Sequence, residues 1–166
     1  MKKITFTLLF LCLVGMGYAQ DSTAYARKLN ALIEDARQNF ASSKGEMILY
    51  DTAEQKKYYE LKVDMQANKQ FLLENLDDHS MAALFYFDLA DVEKMNVTSP
   101  FLAATLDKLN AMHSSGNYHG RDINNKDEST TTELTDAAGN YIMEFTSSAK
   151  DHYMKLLVYS RSWGKR

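Results

Sequence analysis

The chain has 166 residues, of which 45% are hydrophobic and 25% charged, with one cysteine and a formal net charge of −3. This acidic balance gives no support to a nucleic-acid partner, and a single cysteine excludes a disulfide framework. The length suits one domain with its own hydrophobic core and is short for two.

Residues 1–19 have the three parts of an export signal: two lysines, an apolar run of 13 residues, and small residues at the end. They resemble a bacterial secretory signal peptide. We expect cleavage after Ala19, because about 20 apolar residues are needed to span a membrane as a helix. The mature chain, residues 20–166, would hold 17 basic and 22 acidic residues, a net charge of −5, and no cysteine. The sequence therefore predicts a single exported domain, periplasmic or extracellular, without stable membrane insertion.

Helical spacing of apolar residues is clearest between Tyr25 and Phe40. A polar N-cap at residues 21–22 precedes this helix, and residues 42–45, which include Gly45, are predicted to end it. Strands are then predicted over residues 46–50, 58–65, 70–73 and 81–89. The last of these is assigned as a strand because its aromatic residues favour one, although its alanines would also permit a helix.

The second half of the sequence repeats this order of helix and then strands. Ser99 and Pro100 predict a helix start, and residues 114–116 a helix end. Residues 117–128 are strongly polar and predict a loop. Strands at 129–135 and a β-hairpin over 140–161 follow, giving a three-stranded meander.

These elements predict an α+β fold in which two main helices pack on one face of a mainly antiparallel five- to seven-stranded sheet. Residues 28–32 and 108–112 are identical at four of five positions, and each segment lies on a predicted helix. Two helix-then-meander halves would explain this match. Chance similarity between two helices is the alternative.

The strands carry more apolar surface than two helices can cover. The residues predicted to point away from the helices are Leu84, Tyr86, Tyr153, Leu157 and Tyr159. Tyrosine suits a surface that is dry at its centre and wet at its edge, so these residues predict a binding surface or a homodimer face. The alternative is that loops or the tail around Trp163 fold across them.

Motifs for catalysis are absent from the mature sequence: it contains no HExxH, no G-x-S-x-G and no glycine-rich phosphate loop. His113, His119 and Asp122 could hold a divalent metal if the predicted loop brought them together. Their spacing matches no established metal motif, and His113 lies within the apolar arc of its helix. A structural role for these residues is therefore the competing interpretation.

We therefore expect an exported, non-enzymatic binding or accessory module without a cofactor, whose partner is another protein or a second copy of the chain. One alternative is a metal-assisted hydrolase at His113, His119 and Asp122. Another is a carrier of a small apolar ligand, in which adaptable methionine side chains line the site. The methionines considered for that lining are Met47, Met65, Met112, Met143 and Met154.

Overall fold

A computed structural model describes residues 19–90 and 95–163 of the chain. The predicted signal peptide lies outside the described residues except for Ala19, which begins the first helix. Residues 91–94 and 164–166 lie outside them as well.

The described residues form two helices and eight strands, in the order helix, four strands, helix, four strands. The bounds are α1 (Ala19–Ala36), β1 (Lys44–Asp51), β2 (Lys56–Leu61), β3 (Lys69–Asn75), β4 (Met81–Asp88), α2 (Met95–Ser114), β5 (Tyr118–Asn124), β6 (Thr130–Asp136), β7 (Tyr141–Ser148) and β8 (Tyr153–Tyr159). The predicted α+β class and antiparallel sheet are confirmed. Each helix is followed by its own four-stranded meander, as the proposed two halves require.

All eight strands belong to one antiparallel sheet in the order β1-β2-β3-β4-β8-β7-β6-β5. The last strand of each meander lies at the centre, where β4 and β8 pair over seven residue pairs from Ala82–Tyr159 to Asp88–Tyr153. The first strand of each meander, β1 or β5, forms an edge. The sheet therefore joins the two halves through their final strands.

Both helices pack on the same face of the sheet. Phe101 of α2 lies with its ring centroid 4.2 Å from that of Phe87 and 6.4 Å from that of Phe85, both on β4. The same ring meets Tyr25 of α1 edge-on at 6.1 Å. Leu156 of β8 is paired with Phe85, and residues paired across neighbouring strands point to the same face of a sheet. Leu156 therefore enters this core as well. We call the face on which both helices pack the core face, and the opposite one the outer face.

The predicted five to seven strands are too few, because β5 forms within residues 117–128, which were predicted to be a loop. Its seven residues pair with β6 from Tyr118–Asp136 to Asn124–Thr130. Backbone hydrogen bonding to a neighbour can hold a polar segment as an edge strand, where its side chains remain in water. Polarity alone was therefore a poor guide to a loop.

The first helix ends earlier than predicted, at Ala36. Asn39 and Phe40 adopt positive φ angles of 52° and 57°, which reverse the chain and place Phe40 in the core. The carboxylate of Asp35 accepts hydrogen bonds from the backbone N–H groups of Ser42 and Ser43. This turn, rather than a glycine cap, ends the helix.

Gly45 has a different role, since it lies inside β1. A Cβ added there would stand 2.8 Å from the Cβ of Glu60 and 3.0 Å from its backbone oxygen. Such distances leave no room for a side chain, so the glycine permits close approach of β1 and β2.

The second helix begins earlier than predicted, at Met95, so Pro100 lies within it rather than at its first turn. Its end at Ser114 agrees with the predicted stop. Neither helix in the described part of the chain combines the length and hydrophobicity of a membrane span.

Adjacent leucines on β8 test the assignment of faces. We expect Leu156→Ala to lower the free energy of unfolding by about 2–5 kcal/mol, because it opens a cavity in the core. Leu157→Ala, on the outer face, should cost at least about 1 kcal/mol less, since that side chain is half-buried. Urea unfolding of both variants provides the comparison, and equal losses would contradict the assignment.

Candidate binding surface

The outer face brings the five predicted surface residues together on the two central strands. Leu84 lies opposite Leu157 across the β4–β8 pairing. The rings of Tyr86 and Tyr153 stack with centroids 5.7 Å apart and planes 20° apart. These four side chains are half-buried, so each remains partly open to solvent.

Tyr159, the fifth of these residues, is buried, with 3% of its surface exposed. Trp163 covers it, with ring centroids 4.9 Å apart, and Tyr141 contacts it from β7 at 5.8 Å. Its hydroxyl donates a 2.9 Å hydrogen bond to Glu144. Trp163 of the tail thus covers one end of the outer face, as the alternative interpretation expected. Tyr159 lies beneath Trp163 and is not part of the open surface.

The apolar surface extends further than the sequence predicted, onto β3 and β2. Phe71 lies beside Leu84, and its ring meets that of Tyr58 at 5.3 Å. An open groove of about 570 Å³ adjoins the two rings. Its lining residues are Ile48, Leu49, Tyr58, Ala67, Asn68, Lys69, Gln70 and Phe71. The sequence analysis singled out neither Tyr58 nor Phe71, because only the pairing of β2 and β3 with β4 shows that both residues share this face.

Charged residues lie within this apolar surface and beside it. Lys155, on β8 between Tyr153 and Leu157, lies directly opposite Tyr86 and pairs with Glu144 at 3.5 Å. On the β3 side, the ammonium of Lys69 stands 5.9 Å from the ring centroid of Tyr86. We define the binding surface as Leu84, Tyr86, Tyr153, Leu157 and Phe71. It combines aromatic and aliphatic side chains with one lysine, Lys155, that lies among them.

The three candidate metal ligands are not brought together. His119 pairs with Thr135 and Asp122 with Thr132. Because positions 119 and 122 are three apart on β5, their side chains point to opposite faces. His113 lies on the core-face side, where its Nδ1 is 3.2 Å from a Cβ built on Gly120. No group of three or more His, Cys, Asp or Glu residues suited to a metal occurs among the described residues.

A polar cluster centred on Glu74 was not predicted. Tyr59 donates a 2.6 Å hydrogen bond to its carboxylate, Lys44 donates one of 3.2 Å, and Nδ1 of His79 lies 3.0 Å away. Burial alone would raise the pKa of Glu74, but the bonds from Tyr59, His79 and Lys44 and the lysine charge lower it to about 2. Burial and the same carboxylate raise the pKa of Tyr59 to about 12.

This cluster is better suited to holding β1, β2 and β3 together than to catalysis. A carboxylate with so low a pKa is a weak base near neutral pH, and its oxygens already accept bonds from the protein. Lys44 also lies 3.7 Å above the ring centroid of Tyr59, which ties the start of β1 to β2.

The chain was compared with models of protein families, with curated proteins and with solved structures. None of the three comparisons finds a match.

The Glu74 cluster predicts a specific dependence of stability on pH. Because the folded pKa is lower than the ordinary value of 4.5, the stabilisation is complete above that pH and is lost as the pH falls through about 2. We expect the cluster to supply about 2 kcal/mol of this pH-dependent stability.

Unfolding measured at pH 6 and at pH 2.5 checks this prediction. Glu74→Gln removes the titrating group and keeps an amide oxygen that can accept a hydrogen bond. This variant should lose less stability on acidification than the wild type. An identical loss in the two proteins would contradict the role of Glu74.

Proposed function

We propose that the chain is an exported, non-enzymatic binding or accessory protein that contacts a protein partner through its binding surface. One observation carries the proposal. Leu84, Tyr86, Tyr153 and Leu157 lie together and partly open at the centre of a sheet face, where Lys155 is the one charged side chain among them. Within the described residues no helix packs on that face.

The chemistry of the patch favours a protein partner. Tyrosine rings offer a large apolar area with little loss of conformational freedom on binding, and their hydroxyls tolerate water at the rim. The stacked pair Tyr86 and Tyr153 is already ordered by its cross-strand position. A preformed aromatic surface lowers the entropic cost of association.

The two rival functions have weaker support. A metal-assisted hydrolase needs converging ligands, whereas His119 and Asp122 point to opposite faces of β5. A carrier needs an apolar cavity, whereas Met65, Met143 and Met154 are buried within the packed core. Met112 is buried in that core as well, and Met47 is exposed on β1.

The double variant Tyr86→Ala/Tyr153→Ala tests the proposal. We expect it to keep its fold and to weaken partner binding at least tenfold, because central aromatic residues dominate binding energy. Tyr118→Ala is a matched control, since Tyr118 lies on β5 and packs against the core face. Each protein would be isolated from the exported fraction of its own host and examined by native mass spectrometry.

The mass of whatever stays bound to the protein distinguishes the three proposed functions. A protein partner retained by the wild type and the control, but lost from the double variant, would support the binding surface. A retained metal ion would favour the hydrolase, and a retained lipid-sized mass the carrier. A protein partner retained equally by all three proteins would contradict the proposal.

A further inference from the structure

The methionine side chains of this protein differ sharply in their exposure. The structure describes six of them, and five are buried, with at most 6% of their surface exposed. The sixth, Met47 on β1, is 56% exposed. A small oxidant dissolved in water therefore has direct access to one of the six. The five buried side chains are Met65, Met81, Met112, Met143 and Met154.

The position of Met47 on an irregular edge of the sheet explains its exposure. Within the sheet β1 pairs with β2 alone. Met47 pairs with Tyr59, and the register shifts on both sides of this pair, between Lys44 and Met47 and between Met47 and Leu49. The neighbouring side chains Ile48 and Leu49 are also more than half exposed. This stretch of β1 is therefore open to water.

We propose that Met47 is a modification site, at which hydroperoxides oxidise the folded protein to methionine sulfoxide. The thioether sulfur donates an electron pair to the terminal oxygen of the peroxide, so that an S–O bond forms and the O–O bond breaks. The sulfur loses two electrons and the peroxide gains them. The proton of the transferred oxygen passes to the oxygen that leaves, which departs as water from hydrogen peroxide or as an alcohol from an organic hydroperoxide.

The oxidised protein should keep its fold. A sulfoxide is polar, so it disrupts packing when it forms inside a hydrophobic core. At Met47 the added oxygen enters a region that is already in contact with water. Methionine sulfoxide can be reduced again by dedicated reductases, so a tolerated and accessible sulfoxide is also a reversible one.

The fold should protect the buried methionines from the same oxidant. A side chain such as Met143 or Met154, with 0% and 3% of its surface exposed, reacts only when the surrounding structure opens. Both lie on central strands of the second meander, and segments at the core of a domain open rarely. We therefore expect oxidation to be selective for Met47 over these two positions.

Oxidation of the purified protein with hydrogen peroxide tests this selectivity. Cleavage after lysine and arginine places Met47, Met143 and Met154 on separate peptides, and mass spectrometry measures the added oxygen on each over time. We expect Met47 to be oxidised at least about tenfold faster than the other two in the folded protein. In the urea-unfolded protein all three should react at similar rates, because the fold no longer protects any of them.

Met47→Leu is the matched variant, since leucine has a similar volume and no sulfur. At a peroxide dose that converts most of Met47 in the wild type, oxidised wild type and treated variant should keep the urea midpoints of their untreated forms. Equal oxidation rates at the three positions of the folded protein would overturn the proposal. A loss of stability that follows oxidation of Met47 and is absent from the variant would overturn it too.

This inference does not depend on the proposed function. Tyr86 and Tyr153 lie on β4 and β8, away from the edge strand that carries Met47. The double variant Tyr86→Ala/Tyr153→Ala should therefore be oxidised at Met47 as fast as the wild type. Failure of the oxidation site is thus distinguishable from failure of the binding surface.

Discussion

The architecture depends on one constraint: α1 and α2 both pack on the same face of an eight-stranded sheet. The central strands β4 and β8 carry large apolar residues on both faces, and burial of apolar area is the main favourable term in folding. On the core face these apolar residues are buried against the helices, as the contact between Phe87 and Phe101 shows. On the outer face the chain covers Tyr159 with Trp163 and leaves the patch around Leu84 and Leu157 partly open.

The order of the strands follows from their composition. The two most apolar strands lie at the centre, where each is paired on both sides, and polar β5 lies at an edge. β1 departs from this rule, because it is an edge strand with four exposed apolar residues. Both departures from ordinary burial, the patch on the outer face and the β1 edge, concern surfaces that another molecule can cover. The proposed binding role would account for both.

Much of the fold was accessible from sequence because apolar periodicity reflects burial directly. The hairpin of β7 and β8 alternates clearly, and residues 81–89 were correctly assigned as a strand from their aromatic side chains. β5 was missed because its pairing with β6 is made by the backbone, which leaves no periodic signal in polar side chains. The five outer-face residues were placed on the correct face, but the burial of Tyr159 depends on Trp163, whose position a local pattern does not encode.

The central claim is that a partner covers the outer face in the native setting. Chemical labelling of tyrosine rings in unfractionated material from the host, compared with the purified protein, tests this claim directly. The account predicts that Tyr86 and Tyr153 are labelled less in the native material, while Tyr118 on β5 is labelled equally in both. Equal labelling of Tyr86 and Tyr153 in the two samples would contradict it.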